Sequence, residues 1–197
     1  MATTHSVRRS HHLDKAVPTP RATSDTTTGA AATQAPSAAV KILSGGLRLA
    51  LGWTFLWAFL DKLLGLGRAT PSEGSWLNGG SPTEGFLSFA AVGPFKGIYN
   101  DIAGAAWADW LFMLGLAGIG TALILGVFVN IASASGALLM VLMWAAVLPP
   151  ENNPFMDSHL IYAAVLGLLA LTHAGRYLGL GAMWERVPFV QRNRIFR

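Results

Sequence analysis

Four long apolar stretches dominate the hydrophobic pattern of this chain. They cover roughly residues 40–64, 105–127, 128–148 and 158–176, and a membrane span needs about 20 mostly apolar residues. Because backbone groups in hydrocarbon must satisfy their own hydrogen bonds, each stretch is predicted to be a helix. The pattern therefore predicts an all-α fold, an integral membrane four-helix bundle whose spans form one domain over residues 39–180.

The segments outside these stretches differ in character. Residues 1–38 are rich in Thr, Ala, Ser and Pro without apolar periodicity, which predicts a disordered cytoplasmic tail. Residues 181–197 are predicted to form a basic cytoplasmic tail. The connection over residues 67–104 contains an apolar run, residues 83–92, that is too short to span. We therefore expect a long outer loop that carries a short interfacial helix.

Basic residues are concentrated on one side of this predicted topology. If both termini are cytoplasmic, eleven of the 14 lysines and arginines lie inside and seven of the 10 acids lie outside. Because the bias of lysine and arginine orients spans, both termini are predicted to be cytoplasmic, in a multi-pass protein of the plasma membrane. The net charge of +4 then indicates contact with anionic lipid rather than nucleic acid.

The composition limits the kinds of site that this chain could contain. Only 12% of the residues are charged, against about 25% in soluble domains. The chain has no cysteine, which excludes disulfides, thiolate nucleophiles and cysteine-ligated iron–sulfur clusters within it. No metal site is predicted.

Two stripes at helical spacing carry polar residues at both ends and apolar residues between them. The first span has Arg48, Gly52, Phe55, Phe59 and Lys62, and the fourth has His159, Tyr162, Leu166, Leu169, His173 and Arg176. The histidine pair has the spacing of a bis-histidine haem helix, but the second and third spans offer no facing histidine. Haem is therefore disfavoured, although a methionine or a partner subunit could supply a ligand.

Two groups of polar residues are candidate sites. Near the outer surface they are Asp61, Lys62, Asn152, Asn153, Asp157 and His159, where a carboxylate–histidine pair could move protons. At the inner surface, Arg48, His173 and Arg176 form a cationic group suited to an anion or a lipid headgroup. Structural alternatives stay open: charged residues at span ends anchor helices, Asp157 is placed to cap a helix, and Trp53 and Trp57 have the character of packing residues.

The first-span run resembles the DoxX/DoxD-like family over about residues 40–180. Arg48, Gly52, Phe55, Lys62 and Leu63 match the family pattern R-x-x-x-G-x-x-F-x-x-x-G-x-x-K-L, whereas the second glycine is missing where Ala58 and Phe59 stand. The run Asn-Asn-Pro-Phe-Met-Asp-Ser-His over residues 152–159 is similar to the DoxD-like branch.

This resemblance implies a quinone-linked oxidoreductase subunit, because the DoxD-like branch includes the large subunit of thiosulfate:quinone oxidoreductase. Thiosulfate would then be oxidised to tetrathionate and electrons passed to a membrane quinone. His159, Asp157, Lys62 and Asp61 would be catalytic. The quinone or substrate would contact Arg48, Trp53, Trp57, Asn152, Asn153, Tyr162, His173 and Arg176.

Family membership also implies an alternative. Other DoxX members resemble non-catalytic membrane anchors for redox or oxidative-stress partners, and function belongs to sites rather than folds. A small partner subunit, soluble redox partners and a homo-oligomer all stay open. A transporter or channel is disfavoured, because few intramembrane charges line a continuous path.

Overall fold

A computed structural model of the chain describes residues 1–2 and 35–196. Most of the predicted N-terminal tail, residues 3–34, lies outside the described residues, as does Arg197. The all-α prediction is confirmed for the described part of the chain, which contains helices and no strand. The helices are α1 (Ala38–Leu64), α2 (Lys96–Asp101), α3 (Ala106–Leu125), α4 (Val129–Ala146), α5 (Ser158–Leu171), α6 (Gly181–Trp184) and α7 (Pro188–Arg192).

Three of these helices are long and apolar enough to cross a membrane. They are α1, α3 and α4, with 27, 20 and 18 residues, whereas the apolar α5 has 14. All four pack around one core, whose buried members are Leu51, Phe55, Leu116, Ile119, Leu123, Val129, Ala132, Met140, Leu166 and Leu169 together with Ala174.

Close contacts fix the relative directions of the helices. A Cβ atom on Gly120 of α3 would lie 2.6 Å from the backbone nitrogen of Leu56, and one on Gly52 of α1 would lie 3.0 Å from that of Ile124. These two pairs show that α1 and α3 run antiparallel, with their backbones in close approach. Residues 126–128 join α3 to α4, so these two helices are antiparallel neighbours as well. Successive long helices therefore run in opposite directions. We name the two ends of the bundle after a residue that lies at each, the Asp157 end and the Arg48 end.

The fourth apolar stretch is not one helix, and the prediction that it runs to residue 176 is wrong. Helix α5 ends at Leu171, and His173 has a left-handed backbone with φ of 51°. The Thr172 hydroxyl donates a hydrogen bond to the Leu168 carbonyl at 2.8 Å. Gly175 then comes so close to Gly126 that a Cβ atom there would lie 2.7 Å from the Gly126 carbonyl oxygen. The predicted stripe on this span consequently stops before His173 and Arg176.

The long connection between α1 and α3 folds into several short helical turns. They include a π-helical turn at Phe86–Ala90, within the run predicted to form a short helix, and α2 follows it. The remaining turns are Ser72–Gly74, Trp76–Asn78 and Gly93–Phe95. Placement of any of these turns at a membrane interface stays a prediction.

The C-terminal segment is also structured. It contains α6, α7 and a final turn at Arg194–Phe196. Val190 is fully buried, and the indole nitrogen of Trp184 donates to the Phe196 carbonyl at 2.7 Å. The predicted basic tail over residues 181–197 thus includes short helices with their own packing.

Candidate functional site

Asp157 and His159 form a direct contact at the start of α5. The His159 Nδ1 atom lies 2.5 Å from the Asp157 Oδ2 atom. The other carboxylate oxygen accepts hydrogen bonds from the backbone amides of His159 at 3.0 Å and Leu160 at 3.2 Å, so Asp157 is the N-cap of the helix. Asp157 therefore both starts the helix and orients the imidazole, and the helix-capping alternative from the sequence is confirmed.

The environment of Asp157 favours its charged form. Partial burial acts to raise the pKa of the Asp157 carboxyl, but hydrogen bonds from the His159 ring and the Leu160 amide, with the charge of His159, outweigh burial and lower it. The His159 side chain makes no second hydrogen bond among the described residues, and it is 22% exposed. Its Nε2 atom therefore has no hydrogen-bond partner in the part of the chain that the structure describes.

An open depression of about 390 Å³ lies beside Asp157, whereas His159 is not among the residues that line it. Asn152, Asn153 and Asp157 line it, together with Glu151. Asn153 has a structural role, because its side-chain oxygen accepts hydrogen bonds from the amides of Phe155 at 3.0 Å and Met156 at 2.8 Å. The depression thus brings together three predicted site residues on one loop.

Asp61 stands apart from this group. It is 2% exposed, and its carboxylate accepts hydrogen bonds from the backbone amides of Arg68 at 3.2 Å and Ala69 at 3.0 Å. No hydrogen bond or ion pair joins Asp61 or Lys62 to Asp157 or His159 in residues 35–196. Asp61 therefore holds the turn that follows α1.

Lys62 is half-buried and shares a depth with His159. Phe55 of α1 and Leu166 of α5 both lie near Gly136. Lys62 is seven residues beyond Phe55, and His159 is seven residues before Leu166 on a helix of opposite direction. Each lies about 10 Å further along the axis, so the two reach the same level of the bundle.

The aromatic candidates divide between two positions. Tyr162 lies one turn from His159, is 38% exposed, and its hydroxyl makes no hydrogen bond within the described part of the chain. The rings of Trp53 and Trp57 contact each other, 5.8 Å apart, and Trp53 is exposed on the face of α1 opposite the buried Phe55. The two tryptophans consequently face away from the core rather than toward His159.

Arg48 has all of its terminal nitrogens engaged inside the fold. Nη1 donates to the carbonyls of Leu123 and Ile124, and Nη2 donates to those of Tyr177 at 3.1 Å and Leu178 at 2.9 Å. The side chain is 0% exposed. Arg48 is therefore not part of an accessible anion site. Its guanidinium instead links the C-terminal end of α3 to the segment that follows α5 by hydrogen bonds.

The other two inner candidates are likewise not gathered around an anion. The Arg176 Nε atom donates to the Glu185 carboxylate at 2.7 Å, and this contact raises the pKa of Arg176. His173 is exposed beside a cavity of about 10 Å³, which has room for about one water molecule. The inner group therefore consists of one carbonyl-bound arginine, one ion-paired arginine and one exposed histidine.

A second buried carboxylate, that of Asp109, organises its surroundings but was not predicted from the sequence. Asp109, in the first turn of α3, accepts hydrogen bonds from the hydroxyls of Ser81 at 2.8 Å and Thr83 at 2.6 Å, and from the Thr83 amide at 3.2 Å. An acid in the first turn of a long apolar helix was the available signal. Its partners could not be found from periodicity, because they lie 26 and 28 positions away.

The residues present suit a quinone headgroup in part. His159 and Tyr162 offer one ring nitrogen and one hydroxyl free of other hydrogen bonds in the described chain, on neighbouring turns of α5. Because both side chains are partly exposed, a headgroup can approach them from the side of the helix. Trp53 and Trp57 do not complete a slot with them, so His159 and Tyr162 are the residues that would hold the headgroup.

Comparisons of the chain with protein-family models, with curated proteins and with solved structures found no match. The resemblance to the DoxX/DoxD-like family consequently stays a prediction that rests on the residues of the first span and of residues 152–159.

Proposed function

We propose that this protein is the membrane subunit of a quinone-linked oxidoreductase of the DoxX/DoxD type. The observation that carries the proposal is the Asp157–His159 contact of 2.5 Å, in which Asp157 also lines an open depression. A carboxylate that holds one imidazole nitrogen leaves the other free for acid–base work. Proton transfer at a membrane surface is a step that quinone chemistry requires.

The proposal includes four membrane spans. Helix α5 has 14 residues, about 21 Å of rise, and the chain after it reaches Gly126 at the Arg48 end through Gly175. The Arg48 end carries the C-terminal arginines and would face the cytoplasm of a bacterial plasma membrane. The Asp157 end would then face outward, where an anionic sulfur substrate would arrive.

The residues at the Asp157 end have distinct roles in this mechanism. Asp157 accepts a hydrogen bond from Nδ1–H of His159 and fixes the ring, so that Nε2 can receive or return a proton. Lys62, at the same depth as His159, would attract the anionic substrate. Tyr162 would donate a hydrogen bond to the quinone headgroup. When bound, quinone supplies the acceptor for the two electrons that two thiosulfate ions release on joining into one tetrathionate, and the two protons it needs pass through His159.

The test compares two histidines of one chain. Full-length wild type, His159→Gln and His173→Gln would be reconstituted in liposomes, and thiosulfate-dependent reduction of a quinone analogue would be followed. Loss of general acid–base catalysis costs about 100-fold or more in rate, so we expect that loss in His159→Gln alone. His173→Gln is the control, because His173 lies 14 residues away at the opposite end.

Two results would contradict the proposal. Equal rates for wild type and His159→Gln would remove His159 from the reaction. A wild-type protein that turns over no thiosulfate, but co-purifies with soluble proteins in fixed ratio, would instead indicate the non-catalytic anchor.

A further inference from the structure

The C-terminal residues 178–196, which we call the C-terminal foot, are held against the Arg48 end by aromatic and apolar side chains. The ring of Trp184 lies 4.6 Å from that of Phe128, which precedes α4. The Phe196 ring lies 6.0 Å from the Phe128 ring, and Val190 is fully buried. The foot is therefore a fixed part of the bundle end.

Several large apolar side chains of the foot are exposed. Met183, Phe189 and Ile195 are 66%, 56% and 64% exposed, and Leu178 and Leu180 are exposed as well. Large apolar side chains this exposed, within one segment of 19 residues, indicate a surface that contacts something other than water. The foot adjoins the end of α3 and the start of α4, helices long and apolar enough to cross a membrane.

Positive charge is interspersed with these apolar residues. Arg186 and Arg192 are exposed and make no ion pair among the described residues, while the charge of Arg176 is matched by Glu185. Short amphipathic segments with arginine on one side and large apolar residues on the other lie in membrane interfaces. Arginines in that position attract anionic lipid headgroups.

We propose that the C-terminal foot binds anionic phospholipids, with Arg186 and Arg192 on the headgroup phosphates and Met183, Phe189 and Ile195 among the upper acyl chains. An acidic protein surface would match the arginines, but it would leave the apolar side chains without a partner. A bilayer supplies both partners at the end of helices that enter it. The inference does not rest on the quinone-linked function.

The absence of cysteine from the sequence makes the test direct. A single cysteine, Met183→Cys, would carry a fluorophore on the full-length protein in phosphatidylcholine nanodiscs. Spin-labelled phosphatidylglycerol or spin-labelled phosphatidylcholine, each labelled near the headgroup, would be added at rising mole fraction. We expect the anionic lipid to quench at the lower mole fraction, and Arg186→Gln with Arg192→Gln to reduce that preference by about fivefold for each arginine.

Lys96→Gln is the matched control, because Lys96 is an exposed basic residue on α2, outside the foot. It should leave the preference unchanged, and thermal unfolding of every variant would confirm that the bundle is intact. Equal quenching by the two lipids, quenching by neither, or an unchanged preference in the double variant would overturn the proposal. Inorganic phosphate that abolishes the preference, where chloride of equal ionic strength does not, would also overturn it by showing a site for free phosphate.

Discussion

Arg48 donates a hydrogen bond from Nη2 to the carbonyl oxygen of Leu178 at 2.9 Å, across 130 positions of the chain. The other terminal nitrogen of the same guanidinium donates to Leu123 and Ile124, in the last turn of α3. Carbonyls at a helix C-terminus carry partial negative charge. One side chain of α1 therefore satisfies the end of a neighbouring helix and the segment that leads into the C-terminal foot, without a carboxylate partner.

Replacement of Arg48 should consequently lower the free energy of unfolding. In Arg48→Met the four carbonyls lose their donor, and each buried acceptor left unsatisfied costs about 1–3 kcal/mol. Arg48→Lys should restore only part of the stability, because a compact ammonium cannot reach the same fork of acceptors. Thermal unfolding in detergent measures the effect.

Lys41→Met serves as the control for the Arg48 variants. Lys41 is an exposed basic residue on the same helix, so its loss should leave the unfolding temperature nearly unchanged. If Arg48→Met unfolds at the wild-type temperature, the hydrogen bonds to the carbonyls contribute little and the role assigned to Arg48 is wrong.

The close approach of α1 and α3 predicts opposite outcomes at two glycines of one helix. A Cβ atom on Gly120 would lie 2.6 Å from the Leu56 backbone nitrogen, whereas one on Gly118 would meet nothing within 4 Å. Gly120→Ala should therefore separate the helices and lower the unfolding temperature. Gly118→Ala should be neutral or mildly stabilising, because alanine is the better helix former. Equal effects of the two substitutions would show that α1 and α3 are not in backbone contact at this level.

Two buried carboxylates should control the order of the connection between α1 and α3. Asp61 binds the amides of residues 68 and 69, and Asp109 binds Ser81 and Thr83. We expect Asp61→Ala and Asp109→Ala to speed amide hydrogen exchange over residues 65–84, because they remove the acceptors that fix this segment. Asp101→Ala, an exposed acid in the same connection, is the control. Exchange that stays at the wild-type rate in both variants would assign these carboxylates no part in ordering the connection.

The apolar pattern predicted the helices well because burial in a shared core and burial in hydrocarbon leave the same signature. It did so even for α5, whose start was marked by Asp157. The end of α5 could not be predicted in the same way. His173 and Arg176 continue the helical spacing, yet the contact of Gly175 with Gly126, 49 positions away, requires the chain to turn. A tertiary contact of that kind leaves no periodic signal.

Side-chain roles were predictable only where both partners are close in sequence. The pairing of Asp157 with His159 follows from a spacing of two residues and a helix start. Arg48 offered no such guide, because backbone carbonyls have no sequence identity and its acceptors lie 75 to 130 positions away. The sequence predicted Arg48 as part of an anion or quinone site, whereas its partners in the structure are backbone carbonyls that only the fold brings together.

The double role of Asp157 predicts a separation of stability from activity and a defined pH dependence. Asp157→Ala removes the N-cap and should cost about 1 kcal/mol, whereas Asp157→Ser keeps a capping oxygen and should cost less. Both variants lose the contact with His159, so under the proposed function both should lose quinone reduction to a similar degree.

The pH dependence follows from the lowered pKa of Asp157. A carboxyl whose pKa is lower in the folded state stabilises the fold above its usual value near 3.8, and this contribution disappears as the pH falls through the lower folded value. Unfolding temperatures measured from neutral pH down through this range should therefore fall more steeply for wild type than for Asp157→Ser, which has no carboxyl to protonate. Parallel pH profiles for the two proteins would show that the Asp157 carboxylate is not selectively stabilised by its hydrogen bonds to His159 and Leu160. If Asp157→Ser retains full quinone reduction, Asp157 acts only as the helix cap and has no part in catalysis.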